Sequence, residues 1–208
     1  MRRPGVRGHR GQFFDDEITT LHGLYITTRI RTWLDCCRKM TIEEITVVAD
    51  HLLRIPRPEF EGREGPFATI EDLGEMLDRH KGTPGIRKAR LALEQARVGA
   101  DSAQETRLRL ALLNAGLPEP ELNVRTELGA GVVREPDLSY PELRVAVEYD
   151  GEVHSDPARI VKDIAREEDF IRAGWLLVRL SKTHMANDSR LAVAKVRRAV
   201  VSRGWSPH

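Results

Sequence analysis

The chain has 208 residues, 40% hydrophobic and 31% charged, enough to bury one sizeable core or two small ones. A formal net charge of +1 excludes a uniformly basic or acidic protein, and no apolar run approaches the roughly 18 residues a membrane span needs. The opening MRRPGVRGHR carries arginines with no apolar stretch behind them, so a cytoplasmic location without a secretory signal is expected.

Residues 16 to 55 read as mainly helical, with Ile45, Val48, Ala49, Leu52 and Leu53 at helical period and Thr41 and Glu44 forming a capping-box start. The adjacent Cys36 and Cys37 are poorly placed for a mutual disulfide and are expected as buried thiols. RIPRPEFEGREGPF then breaks periodicity as a loop. Two shorter helices follow, from about Ile70 to His80 capped by Thr69, and from about Ile86 to Arg97 after GTPG. A boundary is expected at Val98 to Ser102, dividing a mainly helical region, 1–98, from a second region, 99–208.

In the second region Ser102 caps a helix to Asn114, ended by Gly116. ELNVRTEL alternates as a half-buried strand, and VVREPDLSY and LRVAVEYDG form a hairpin around Pro141 and Glu142. A helix from Pro157 to Ala173 is expected to turn Ile160, Ile164 and Ile171 inward; Gly174 ends it before the apolar strand WLLVRL, and a last helix runs from near Asn187 to Arg203. A helix joining LRVAVEYD to WLLVRL suits a crossover between parallel neighbours, so the fold class is α/β with a mixed sheet.

On the LRVAVEYD strand, Val145, Val147 and Tyr149 share the core face while Glu148 and Asp150 share the other. A turn centred between Glu142 and Leu143 puts Asp137 directly opposite Glu148, with Cβ atoms roughly 4.5–5.5 Å apart. Like charges facing each other on a sheet are destabilising, and a hard divalent cation with oxygen ligands removes the conflict. Solvated acids on the polar side of a hairpin are the competing explanation. Arg2, Arg3, Arg7 and Arg10 at the start, and Lys195, Arg197, Arg198 and Arg203 near the end, are either phosphate contacts or ordinary surface charge.

Glu105, Pro136–Asp137 and Glu148–Tyr149–Asp150, on a helix–strand–strand–strand–helix–strand order, resemble the PD-(D/E)XK nuclease superfamily. RVAVEYDGEVH followed by DIAREEDFIRAGWLLVRL is similar to an uncharacterised domain family related to very-short-patch-repair endonucleases, over about Ser102 to Leu180. Upstream, GLYITTRIRTWLDCC resembles a region of actinobacterial proteins, some of them abortive-infection antitoxin-like; such proteins often begin with a winged helix-turn-helix, and this chain is expected to start after it.

The resemblance implies a restriction-endonuclease-like αβββαβ core behind the helical N-terminal region, with Asp137 and Glu148 as central Mg²⁺ or Mn²⁺ ligands. Glu105 matches the supporting acid of the first helix, although an S-x-x-E capping box with Ser102 also accounts for it. Asp150 stands where the superfamily usually has lysine, which implies a third metal ligand or an orienter of water. His154 then becomes the candidate for proton transfer, against the plainer reading of a surface histidine. Arg166 and Arg179 could contact phosphate, although Asp163 and Arg166 at i,i+3 also fit a salt bridge on the helix surface. The implied activity is metal-dependent endonuclease cleavage of nucleic acid, with DNA expected, in repair or phage defence. The alternative is a non-cleaving nucleic-acid-binding or toxin–antitoxin regulatory module; under either reading a partner protein on the N-terminal region is a further expectation, and no membrane association is expected.

Overall fold

The computed structural model describes residues 11–57, 61–151 and 157–207. The fold is mixed α/β, with seven α-helices among these residues and a central sheet of four strands.

The chain begins with a two-stranded ribbon, β1 (Ile18–Leu21) and β2 (Leu24–Thr27), where helix was expected. Ile18-Thr19-Thr20-Leu21 and Leu24-Tyr25-Ile26-Thr27 are rich in β-branched residues, which favour strands. Between them His22 and Gly23 take φ of 49° and 76°, the left-handed pair that a tight two-residue hairpin turn requires. Helix α1 (Arg29–Cys36) follows, with the Thr28 hydroxyl accepting from the Arg31 N–H. Helix α2 (Ile42–Leu53) starts on the expected box: the Thr41 hydroxyl accepts from the Glu44 N–H, and a Glu44 carboxylate oxygen from the Thr41 N–H at 2.8 Å. Thr69 and Asp72 make the same reciprocal cap for α3 (Ile70–Arg79).

Helix α4 (Ile86–Gln95) starts after Gly85, whose φ of 97° and close approach to the Cys37 carbonyl, 2.6 Å from where a Cβ would stand, leave room only for glycine. Trp33, Leu34, Ile45, Leu52, Leu53, Leu73 and Leu77 make the core of this half. Cys37 is buried within it, its thiol pushed up to about 12 by desolvation, and Cys36 is half-buried.

The second half starts with α5 (Ala103–Asn114), capped by the Ser102 hydroxyl. The expected strand ELNVRTEL is broken in two, β3 (Glu121–Leu122) and β4 (Thr126–Glu127), because Asn123 takes a φ of 49° between them. β4 pairs with β5 (Val133–Arg134) as a side hairpin. β3 joins the main sheet with β6 (Leu138–Tyr140), β7 (Val145–Asp150) and β8 (Leu176–Ser181), in the order β3-β6-β7-β8. The first three are antiparallel, and β8 lies parallel to β7, as expected of a strand reached by a crossover helix, α6 (Pro157–Arg172). The main-sheet order is therefore helix, three strands, helix, strand.

Leu138, Tyr140, Val145, Val147, Val178 and Leu180 pack as one sheet face with Leu108 and Leu112 of α5 and with Ala192, Val196 and Val200 of the last helix, α7 (Arg190–Ser202). Asn187, Asp188 and Ser189 all take left-handed φ of 52–58°, so α7 begins three residues after the expected start. Helix α6 contradicts the inward placement of its isoleucines. Ile164 is 52% and Ile171 63% exposed, and Phe170 is the residue it buries completely. The Ile160 side chain lies outside the described set.

The two halves meet where α2 packs on α5. Asp50, buried on α2, accepts from Arg109 Nη2 at 3.0 Å, the Thr106 hydroxyl at 2.9 Å and the Arg97 N–H at 2.7 Å. Arg109 is itself completely buried, so each of the two charges compensates the other's desolvation.

Candidate active site

Leu138 pairs with Val147, Ser139 with Ala146 and Tyr140 with Val145. Continuing this register by one residue places Asp137 opposite Glu148, as a turn centred between Glu142 and Leu143 requires. Because Leu138 and Tyr140 are committed to the core, strand alternation turns Asp137 and Ser139 to the opposite face, with Glu148 and Asp150. Ser139 is fully buried there, and its hydroxyl has no hydrogen-bond partner among the described residues.

Asp137 is half-buried and accepts the Tyr149 N–H at 2.7 Å. Its carboxyl is pushed up to about 7, mainly by desolvation, with the negative charges of Glu105 and Glu148 adding to the effect and the Tyr149 N–H and Arg166 opposing it. Three acids from α5, β7 and the loop entering β6 therefore feel one another.

Glu105 is 6% exposed and does not close a box with Ser102: its side chain accepts from the Asp101 N–H at 2.8 Å, one residue earlier, while the Ser102 hydroxyl caps the Glu105 N–H at 3.2 Å. Its second partner is Asn123 Nδ2 at 2.6 Å. Asn123 is the residue of the candidate site that sequence reasoning missed. Its backbone N–H also donates to the Asp137 carbonyl at 3.1 Å, so one residue in a left-handed conformation joins Glu105 to Asp137. An asparagine interrupting an alternating strand was the available signal, since asparagine tolerates that backbone region better than most residues.

The arginines close the rest of the face. Arg166 pairs with Glu148 and donates to the Glu135 carbonyl at 2.7 Å, so it turns toward the sheet and does not pair with Asp163. Arg179, directly across from Glu148 on β8, donates to Asp150 at 2.8 Å and reaches Asp163 at 3.4 Å and Glu167 at 3.9 Å. Trp175 is half-buried against Phe170. At the end of β8, Ser181, paired with Asp150, donates its N–H to His184 Nδ1 at 3.1 Å, leaving the His184 ring proton on Nε2. Ser181 and His184 were not singled out in the sequence. His154 and the arm residues Arg2, Arg3, Arg7 and Arg10 lie outside the described residues.

Among the described residues no group of three or more His, Cys, Asp and Glu side chains stands close enough to enclose a metal ion. The donor chemistry of the facing pair nevertheless fits a hard cation. Mg²⁺ commonly binds one or two carboxylates and completes its shell with water and phosphate, a donor set that Asp137 and Glu148 match without a full protein cage. Among the described residues no helix is long and apolar enough to cross a membrane.

No family model matches the chain. Two uncharacterized proteins of Mycobacterium tuberculosis, one from strain CDC 1551 / Oshkosh and one from strain ATCC 25618 / H37Rv, are each 32% identical to it over 108 residues. The matched stretch is 51% of this chain and 40% of each relative, so the similarity spans well under half the length of these curated relatives. No solved structure matches.

Proposed function

We propose that the chain is a divalent-metal-dependent nuclease that hydrolyses phosphodiester bonds in nucleic acid, with DNA the preferred substrate. The observation that carries the reading is the β6–β7 register, which continued by one residue sets Asp137 opposite Glu148, with Asn123 bonded to both the Glu105 side chain and the Asp137 carbonyl. Mg²⁺ or Mn²⁺ would be held by Asp137 and Glu148, and when bound supplies positive charge for the phosphoryl oxygens and a more acidic water. The Tyr149 N–H orients the Asp137 carboxylate, and Asn123 holds the Asp137 backbone beside Glu105. Asp150, held by Arg179, lies one side-chain repeat further along the same strand face, where it can add a ligand or orient water. Arg166 and Arg179 bring guanidinium groups to the place where phosphate charge must be met.

The test is incubation of the protein with plasmid, linear duplex, single-stranded DNA and RNA in Mg²⁺, Mn²⁺ or EDTA. Cleavage that needs the metal and disappears in both Asp137→Ala and Glu148→Ala supports the reading. Activity undiminished in both variants refutes it. One observation favours a second reading, a non-cleaving nucleic-acid-binding module: Glu148 and Asp150 are both neutralised by arginines, as acids without a cation to hold would be. Binding of nucleic acid without cleavage under every metal condition selects that alternative.

A further inference from the structure

Among the described residues, Arg57 is the side chain of the N-terminal half that touches both chain segments bearing the acids. Arg57, in the loop after α2, donates from the same Nη2 to Asp101 Oδ2 and to Glu135 Oε1, both at 2.6 Å. Each acceptor leads directly to the site. Asp101 supplies the backbone N–H that fixes the Glu105 carboxylate, and Arg54 holds the other Asp101 oxygen at 3.3 Å. Glu135 precedes Pro136–Asp137, and its carbonyl accepts from the Arg166 that pairs with Glu148. One guanidinium therefore ties the N-terminal end of α5, which carries Glu105, to the strand entry that carries Asp137.

We propose that Arg57 is a positioning residue for the carboxylate centre, so that the N-terminal helical half completes the site. The proposal rests on the metal-binding reading above. Arg57 is 49% exposed, and Asp101 and Glu135 are 27% and 36% exposed. Ion pairs this open contribute little to global stability, so their placement at the two chain segments that bear the acids is their consequence for function. Without Arg57, Asp101 keeps the weaker contact from Arg54, while Glu135 loses its only ion pair among the described residues. The distance between Glu105 and Asp137 is then held from one side alone, by Asn123.

The experiment is an electron paramagnetic resonance titration of Mn²⁺ into the full chain, which reads bound metal without requiring turnover. Arg57→Ala is expected to weaken Mn²⁺ binding by roughly tenfold, the lower end of what losing a direct partner of a ligand does, because Arg57 acts through Asp101 and Glu135. Arg57→Lys, whose single ammonium can reach the two oxygens that now share one nitrogen, is expected to return to within about threefold of the unaltered protein. Arg90→Ala, which removes an exposed pair with Asp78 elsewhere in the same half, is expected to bind as the unaltered protein does. Arg57→Ala binding as tightly as the unaltered chain overturns the inference and leaves the metal site standing. Arg57→Lys as weak as Arg57→Ala also overturns it, by pointing to packing of the guanidinium. No Mn²⁺ binding by the unaltered chain removes the metal reading and the inference together.

Discussion

Asp137 gives the most direct physical test of the site, because its environment links stability to pH. Desolvation and the nearby Glu105 and Glu148 hold its carboxyl at about 7 in the folded chain, against 3.8 ordinarily. A raised carboxyl keeps its proton in the folded state after the unfolded chain has released it. The associated stability is therefore complete below pH 4 and is lost as pH climbs toward 7. Each unit is worth about 1.4 kcal/mol, and because the slope has halved by pH 7 the loss from pH 5 to pH 7 is about 2 kcal/mol. Asp137→Asn removes the titration and keeps an oxygen for the Tyr149 N–H. Urea unfolding of both proteins in EDTA at pH 5, 6, 7 and 8 should show the unaltered chain losing about 2 kcal/mol relative to the variant by pH 8. Parallel stability curves across that range would refute the proposed crowding of acids.

Two further outcomes concern the site and the junction of the halves. If Asp137 and Glu148 hold Mn²⁺, an excess of about a hundredfold over Kd should add about 2.7 kcal/mol and raise the melting temperature by roughly 5–10 °C, and Asp137→Asn should abolish the rise; a melting curve indifferent to Mn²⁺ counts against the site. At the junction of the halves, Arg109→Met should cost about 3–5 kcal/mol in urea unfolding because Asp50 is left charged and buried, and Asp50→Ala in the same chain should recover much of that. A loss under about 1 kcal/mol in the single variant would mean that the pair is not the desolvated link its burial indicates.

The caps and the core periodicity were legible because they are local: Thr41 with Glu44, and Thr69 before Ile70, are complete within four residues of sequence. The β6–β7 register, Leu138 against Val147, was legible too, since the length of the hairpin loop determines it. Three features resisted. The β1–β2 ribbon was hidden in a stretch read by helical period, when the turn signal was His22-Gly23. The break at Asn123 depends on a backbone conformation that alternation cannot reveal, and on partners 18 residues away in Glu105 and 24 away in Gly99. The outward turn of Ile164 and Ile171 arose because charge ordered α6: Asp163 and Arg166 meet Arg179 and Glu148 on the main sheet, Asp169 meets Arg134 on the side hairpin, and with Phe170 also turned inward the isoleucines take the solvent side.

That charged interface bears on the departure at residue 150, where the resemblance leads one to expect lysine and the chain has aspartate. A lysine there would place one cation beside Glu148 from the same strand. Arg179 stands directly across from Glu148 on the parallel neighbour, and Asp150 draws its guanidinium along the face at 2.8 Å. The cation is thus carried by β8 in place of β7, with an acid at position 150 to aim it. Asp163 and Glu167 also lie within 4 Å of the same guanidinium, so its charge is shared among three carboxylates. An arginine with that many anionic partners is held in place without being committed to any one of them. The exchange of lysine for aspartate is therefore compatible with a working phosphate site, provided that Arg179 accompanies it.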